Sequence, residues 1–120
     1  MSKTHTIALG ALVVFNASAH AATLYTPPLY SIDTDKLNCS AVNVSKRILN
    51  LEVSIHSNKA IDQQPKLFSL QPGEMTEMHA PGGISLYCKF RVINGSARDI
   101  RGLGSIYTTD GSDKVTIPAN

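Results

Sequence analysis

Ile84-Ser85-Leu86-Tyr87-Cys88-Lys89-Phe90-Arg91-Val92-Ile93 is the stretch whose reading decides the fold. Ile84, Leu86, Cys88, Phe90 and Val92 alternate with Ser85, Tyr87, Lys89 and Arg91. Successive side chains of a strand point to opposite faces, so this period of two describes a half-buried β-strand with the first set inward. Asn94-Gly95 follows at once. That dipeptide is the strongest short hairpin signal, because both central residues of a type I′ turn need positive φ. The partner strand is expected from about Asp99 to Tyr107.

The same period recurs on both sides of this strand. Leu37 to Val44 sets Leu37, Cys39 and Ala41 on one face, Ser45-Lys46-Arg47 makes a turn, and Ile48 to His56 returns with Leu49, Leu51, Val53 and Ile55 inward. Lys66 to Leu70 reads as a short strand. Gln71-Pro72-Gly73-Glu74 places Pro and Gly where a type II turn wants them. Met75 to His79 is a further strand, ended by Pro81-Gly82-Gly83, and Asp110-Gly111 turns the chain into a last strand, Lys114 to Ile117. Tyr25 to Leu29 holds two prolines and reads as an extended arm leading into Tyr30 to Ile32. Ser57 to Pro65 is the longest unpatterned loop. Seven to eight short strands with turns every ~8–12 residues define an all-β chain, a small antiparallel β-sandwich, because isolated two-stranded sheets do not survive in water.

The N-terminus has the three zones of an export signal. A polar start carrying Lys3 precedes the apolar run Ile7 to Phe15, which is too short to span a bilayer as a helix. Two overlapping cleavage sites follow, after Ala19 or after Ala21, so residues 1–21 are expected to be a signal peptide and residues 22–120 a single domain. The expected destination is the periplasm or the cell exterior, with no membrane span. In an oxidising compartment the chain's two cysteines, Cys39 and Cys88, have one intramolecular pairing open to them. A redox pair or a metal site would call for close spacing such as C-x-x-C, which is absent. Without Lys3, ten basic residues face nine acidic ones. Near-neutral balance of this kind is no nucleic-acid footprint.

Counted along the chain, Cys39 falls on the second strand and Cys88 on the sixth. This placement resembles the inter-sheet disulfide of immunoglobulin-like domains over about residues 30 to 107. The chain departs from that pattern in having no Trp and in carrying Leu86 where the tyrosine corner has Tyr. Val42-Asn43-Val44, Leu70-Gln71-Pro72-Gly73-Glu74 and Tyr87-Cys88-Lys89-Phe90-Arg91-Val92 resemble motifs of small exported bacterial proteins of uncharacterised function. That resemblance implies a disulfide-closed sandwich and no activity.

No catalytic constellation declares itself, and no cofactor is implied. The expectation is a non-catalytic binding or structural module, monomeric, meeting a protein or glycan partner. Its candidate face joins Tyr87, Lys89 and Arg91 of the longest strand to Arg98 and Arg101 of the expected partner strand. A second reading is a periplasmic copper carrier. Cleavage after Ala19 would expose the amine and imidazole of His20, good copper ligands, and His79 or His56 would complete the site. Glu77 and His79, two apart on a strand, share a face and could hold a metal jointly only if further ligands converge. An unrecognised hydrolase dependent on His56 or His79 is a third. Sequons occur at Asn38, Asn43 and Asn94.

Overall fold

The computed structural model describes residues 22–30, 32, 34–58, 60–82, 85–108, 110 and 113–120. The expected export signal with His20, and Ile84, lie outside the described residues. Nine strands are found among those residues: β1 (Ala22–Tyr25), β2 (Leu29–Tyr30), β3 (Lys36–Asn43), β4 (Leu49–Ser57), β5 (Ile61–Leu70), β6 (Met75–Pro81), β7 (Ser85–Val92), β8 (Ile100–Tyr107) and β9 (Asp113–Pro118). They form two antiparallel sheets. The first runs β1-β7-β4-β5, with β2 also pairing β7, and the second runs β6-β3-β8-β9. The chain is a small all-β sandwich, with slightly more strands than the sequence suggested.

The inward faces are those the alternation specifies. Leu37, Cys39 and Ala41 of β3 meet Leu49, Leu51, Val53 and Ile55 of β4 and Leu86, Cys88, Phe90 and Val92 of β7 in one buried cluster. Cys39 and Cys88 are bonded. Each lies on an inner strand of its sheet, so the disulfide ties the two layers together at the centre of the core.

The connections differ from the sequence reading. Only β4–β5 and β8–β9 are hairpins within a sheet; β3–β4 and β7–β8, both expected as hairpins, cross between sheets. Side chains at the two corners explain why. Asn43 is fully buried, and its Nδ2 donates to Arg47 O at 2.8 Å and Leu70 O at 2.9 Å, while its Oδ1 accepts from Ser45 N and Ser45 Oγ. The chain therefore wraps around a buried amide rather than folding back beside β3. At the second corner Asn94 Oδ1 accepts from Asn50 N and its Nδ2 donates to Ile48 O, stapling the end of β7 to β4. Gly95 has no positive φ, so no type I′ turn forms. It is small for another reason: a Cβ there would sit 2.5 Å from Asp99 Oδ2 and 2.8 Å from the Arg47 guanidinium. A single 3₁₀ turn, Ala97–Asp99, then delivers the chain to β8.

The turn at Pro72-Gly73 is as expected. Gly73 has φ of 81°, and Glu74 N donates to Gln71 O at 2.9 Å, the geometry of a type II turn. Ser57 to Pro65, read as a loop, belongs largely to β5. Its register shifts between the Val53–Lys66 and Ile55–Gln63 pairs, leaving Gln64 and Pro65 in a bulge. An edge strand exposed on both faces carries no alternation, and a bulge is where a strand tolerates proline. Tyr25 to Leu29 does not stand off as an arm. Thr26 N donates to Cys88 O at 3.1 Å and Thr26 Oγ1 accepts from Cys88 N at 2.9 Å, so the segment stays on β7 through Pro27-Pro28.

The space over the disulfide is filled without tryptophan. Gly104 of β8 faces Cys39, and a Cβ at that position would meet Leu29 Cδ1 at 2.8 Å, Thr26 Cγ2 at 3.0 Å and Cys88 Sγ at 3.2 Å. Five of the six prolines sit on or beside the four sheet edges: Pro27 and Pro28 between β1 and β2, Pro65 on β5, Pro81 on β6 and Pro118 on β9. Proline cannot donate to a ladder, so each edge is blunted against pairing with another chain.

Candidate functional site

The outward face of the first sheet is built by the same alternation that fills the core. With Leu86, Cys88 and Phe90 turned inward, Tyr87, Lys89 and Arg91 must turn outward. The register then fixes their neighbours: Tyr87 lies opposite His56, Lys89 opposite Ser54 and Tyr25, and Arg91 opposite Glu52 and Thr23. Three rings form a row across β1, β7 and β4. Tyr25 and Tyr87 have centroids 6.0 Å apart and tilted, and Tyr87 stacks on His56 at 5.4 Å with planes 15° apart. Both separations fall in the range of favourable aromatic pairs.

The charges around this row are unequal. Arg91 pairs with Glu52 at 3.3 Å, so its cation is largely answered within the sheet. Lys89 has no carboxylate against it among the described residues. It lies close enough to His56 to add to the effect of burial, and the two together hold the imidazole below its usual pKa. The ring row is thus an aromatic, neutral-histidine surface beside a positive charge.

Ser54 Oγ is 2.8 Å from His56 Nε2. The pairing has the outline of a nucleophile and its base, but Ser54 is buried beneath the surface and no carboxylate orients the imidazole among the described residues. It is the hydrogen bond of a buried hydroxyl that needs a partner.

The structure does not bring the five sequence-predicted site residues together. Arg101 is on β8, whose outward side belongs to the second sheet, and Arg98 lies in the 3₁₀ turn at the corner. Both border a groove that also contains Leu24, Leu103 and Asn120. The reason is the crossing at Asn94: an expected hairpin would have kept β8 beside β7, and the crossing sends it to the other layer. Sequence reasoning also missed Tyr25 and His56 as neighbours of Tyr87. The Pro27-Pro28 pair had marked the Tyr25 segment as an arm, and only the cross-strand register places His56.

On the second sheet Glu77 and His79 do share a face, with Glu77 Oε1 3.6 Å from His79 Nε2. Tyr107 OH lies 2.9 Å from His79 Nδ1, so both imidazole nitrogens are engaged. No group of three or more His, Cys, Asp or Glu able to hold a metal is found among the described residues. His56 and His79 stand on the outer faces of opposite sheets, and His20, which one or the other was expected to join, lies outside the described residues. The sequons fare similarly. Asn43 is fully buried with both amide hydrogens used, and the Asn94 amide is committed to β4.

Among the described residues no helix is long and apolar enough to cross a membrane. No protein-family model matches the chain, and no curated protein matches it. A likeness of fold is found with the crystal structure of Thermotoga maritima protein 1070, with a TM-score of 0.54 at 8% identity over 82% of this chain and 92% of that one. At that identity the likeness concerns the arrangement of strands alone.

Proposed function

We propose that the chain is an exported, non-catalytic binding module of immunoglobulin-like architecture that takes an acidic glycan on the outward face of its first sheet. The observation that carries this reading is the Tyr25–Tyr87–His56 row beside Lys89. The exposed Tyr25 ring and the half-buried Tyr87–His56 stack offer apolar contact to sugars lying across the sheet. A lysine at the margin supplies charge to a carboxylate, and a strand scaffold holds the groups in fixed register. An inter-sheet disulfide is compatible with export and suits a small domain that must remain folded outside the cell. Edge strands blunted by proline favour a monomer.

Isothermal titration with an oligogalacturonate tests the reading. Wild type should bind saturably. Tyr87→Ala should weaken binding roughly five- to tenfold, about 1–1.4 kcal/mol, and Lys89→Gln should weaken it and reduce its dependence on salt. Absence of binding, or binding that Tyr87→Ala leaves unaltered, contradicts it.

A further inference from the structure

The groove at the corner of the sandwich has a different chemistry from the ring row. It occupies about 500 Å³, within the range of small-molecule sites. Its floor is apolar: Leu24 and Ile100, both buried, with Ala119 beside them. Gly102 of β8, which also borders the groove, faces inward, where a Cβ would press on the buried Phe90 ring at 3.0 Å and on Ala119 at 3.3 Å. Leu103, 39% exposed, adds an apolar wall.

Arg98 and Arg101 stand at the same groove. The ion pairs among the described residues involve Arg47, Arg91 and His79, and neither of these two arginines. Arg101 donates only to the carbonyl of Ile100, at 3.3 Å. Asp99, the acidic residue between them in sequence, is turned toward Arg47 and the Ser96 amide. Two exposed arginines without an ion pair among the described residues therefore border a groove whose accessible apolar lining is Leu103, Pro118 and Ala119. Guanidinium forks match carboxylates in shape and charge, and the floor fits a hydrocarbon chain.

We infer that this groove is a second binding site, for an aliphatic carboxylate, with the acyl chain along Leu103, Pro118 and Ala119 and the headgroup at Arg98 and Arg101. Charge complementarity fixes the class of ligand: a neutral or cationic amphiphile would leave the arginines unanswered. The site shares no residue with the ring row and stands apart from the glycan reading.

Decanoate is the probe, added below its micellar concentration and followed by calorimetry. Saturable binding of one decanoate per chain is expected, with affinity falling about fourfold for each CH₂ removed toward octanoate. The Arg98→Gln/Arg101→Gln double variant should bind at least tenfold more weakly, equivalent to about 1.4 kcal/mol. Both side chains are exposed, so the fold should tolerate the change, and an unaltered melting curve checks this. Leu103→Gln should weaken binding independently of charge, whereas Tyr87→Ala should leave it unaltered. The inference is overturned by non-saturable binding, by decyltrimethylammonium binding as well as decanoate, by a double variant that binds normally, or by loss of binding in Tyr87→Ala.

Discussion

Replacing both half-cystines with alanine removes the side-chain cross-link between the sheets. Cys39 and Cys88 are 49 residues apart, and the loop they close contains β4, β5 and β6 entire. Loop-closure entropy for a segment of that length contributes about 4 kcal/mol at 25 °C. A domain of this size has a total stability of roughly 5–15 kcal/mol, so the bond accounts for a large share. At about 4–8 °C per kcal/mol the loss corresponds to a fall in Tm of about 15–30 °C. Both sulfur atoms are fully buried between inner strands, so no alternative contact takes over when they are removed. The assay is a pair of thermal melts by circular dichroism. One compares wild type with Cys39→Ala/Cys88→Ala, and the other compares oxidised wild type with protein unfolded, reduced and refolded in reductant. Both comparisons should show the same large drop. A fall below about 5 °C in both would refute the reasoning, because the sheets would then be held together without help from the bond.

Three further outcomes follow from particular contacts. Gly104→Ala should cost roughly 2 kcal/mol and about 8–16 °C in Tm, because Thr26 and Cys88, which a new methyl group would press, are held by a hydrogen bond and the disulfide; an unchanged melt would show that the space over the disulfide is looser than described. Asn43→Ala should cost roughly 1–3 kcal/mol by removing the buried side-chain donor to Leu70 O, Arg47 O keeping Ser45 Oγ, and chemical denaturation should show it as a lower midpoint at unchanged slope. His56 carries a pKa lowered by burial and by Lys89, so the folded state binds its proton less readily than the unfolded chain. Its contribution is full above the ordinary histidine pKa of about 6.5 and is lost as pH falls from there toward the folded value. The difference in Tm between pH 8 and pH 5 should therefore be smaller in His56→Gln than in wild type, and an equal difference would remove His56 from the account.

Much of the core was legible because alternation reports which side chains turn inward, whatever the strand's neighbours. Leu49 to Ile55 and Leu86 to Val92 could be assigned from period two alone. Pairing was not legible by the same means. A strand alternates identically whether it folds back beside its predecessor or crosses to the other sheet, and the choice rests on single side chains at the corners. Asn43 reads in sequence as one more polar residue, yet it closes four hydrogen bonds that turn the chain across. Asn94-Gly95 carries the sequence signature of a hairpin, but Asn94 is used to fasten β7 to β4 and Gly95 to admit the Arg47–Asp99 pair. The candidate face inherited that error. Tyr87, Lys89 and Arg91 share one face because they belong to one strand, whereas Arg98 and Arg101 join them only through a pairing that does not form. Their place on β8 and in the 3₁₀ turn, away from β7, is what makes the corner groove a surface with its own residues.

The measurement closest to the central claim is a ¹⁵N–¹H correlation spectrum of the oxidised domain titrated with trigalacturonate. Saturable shifts should gather at Tyr25, His56, Tyr87 and Lys89 and spare Arg101, Leu103 and the outward residues of the second sheet. Shifts confined to the second sheet or to the corner, or a spectrum that does not move, would contradict the assignment of the first sheet's outward face as the binding surface.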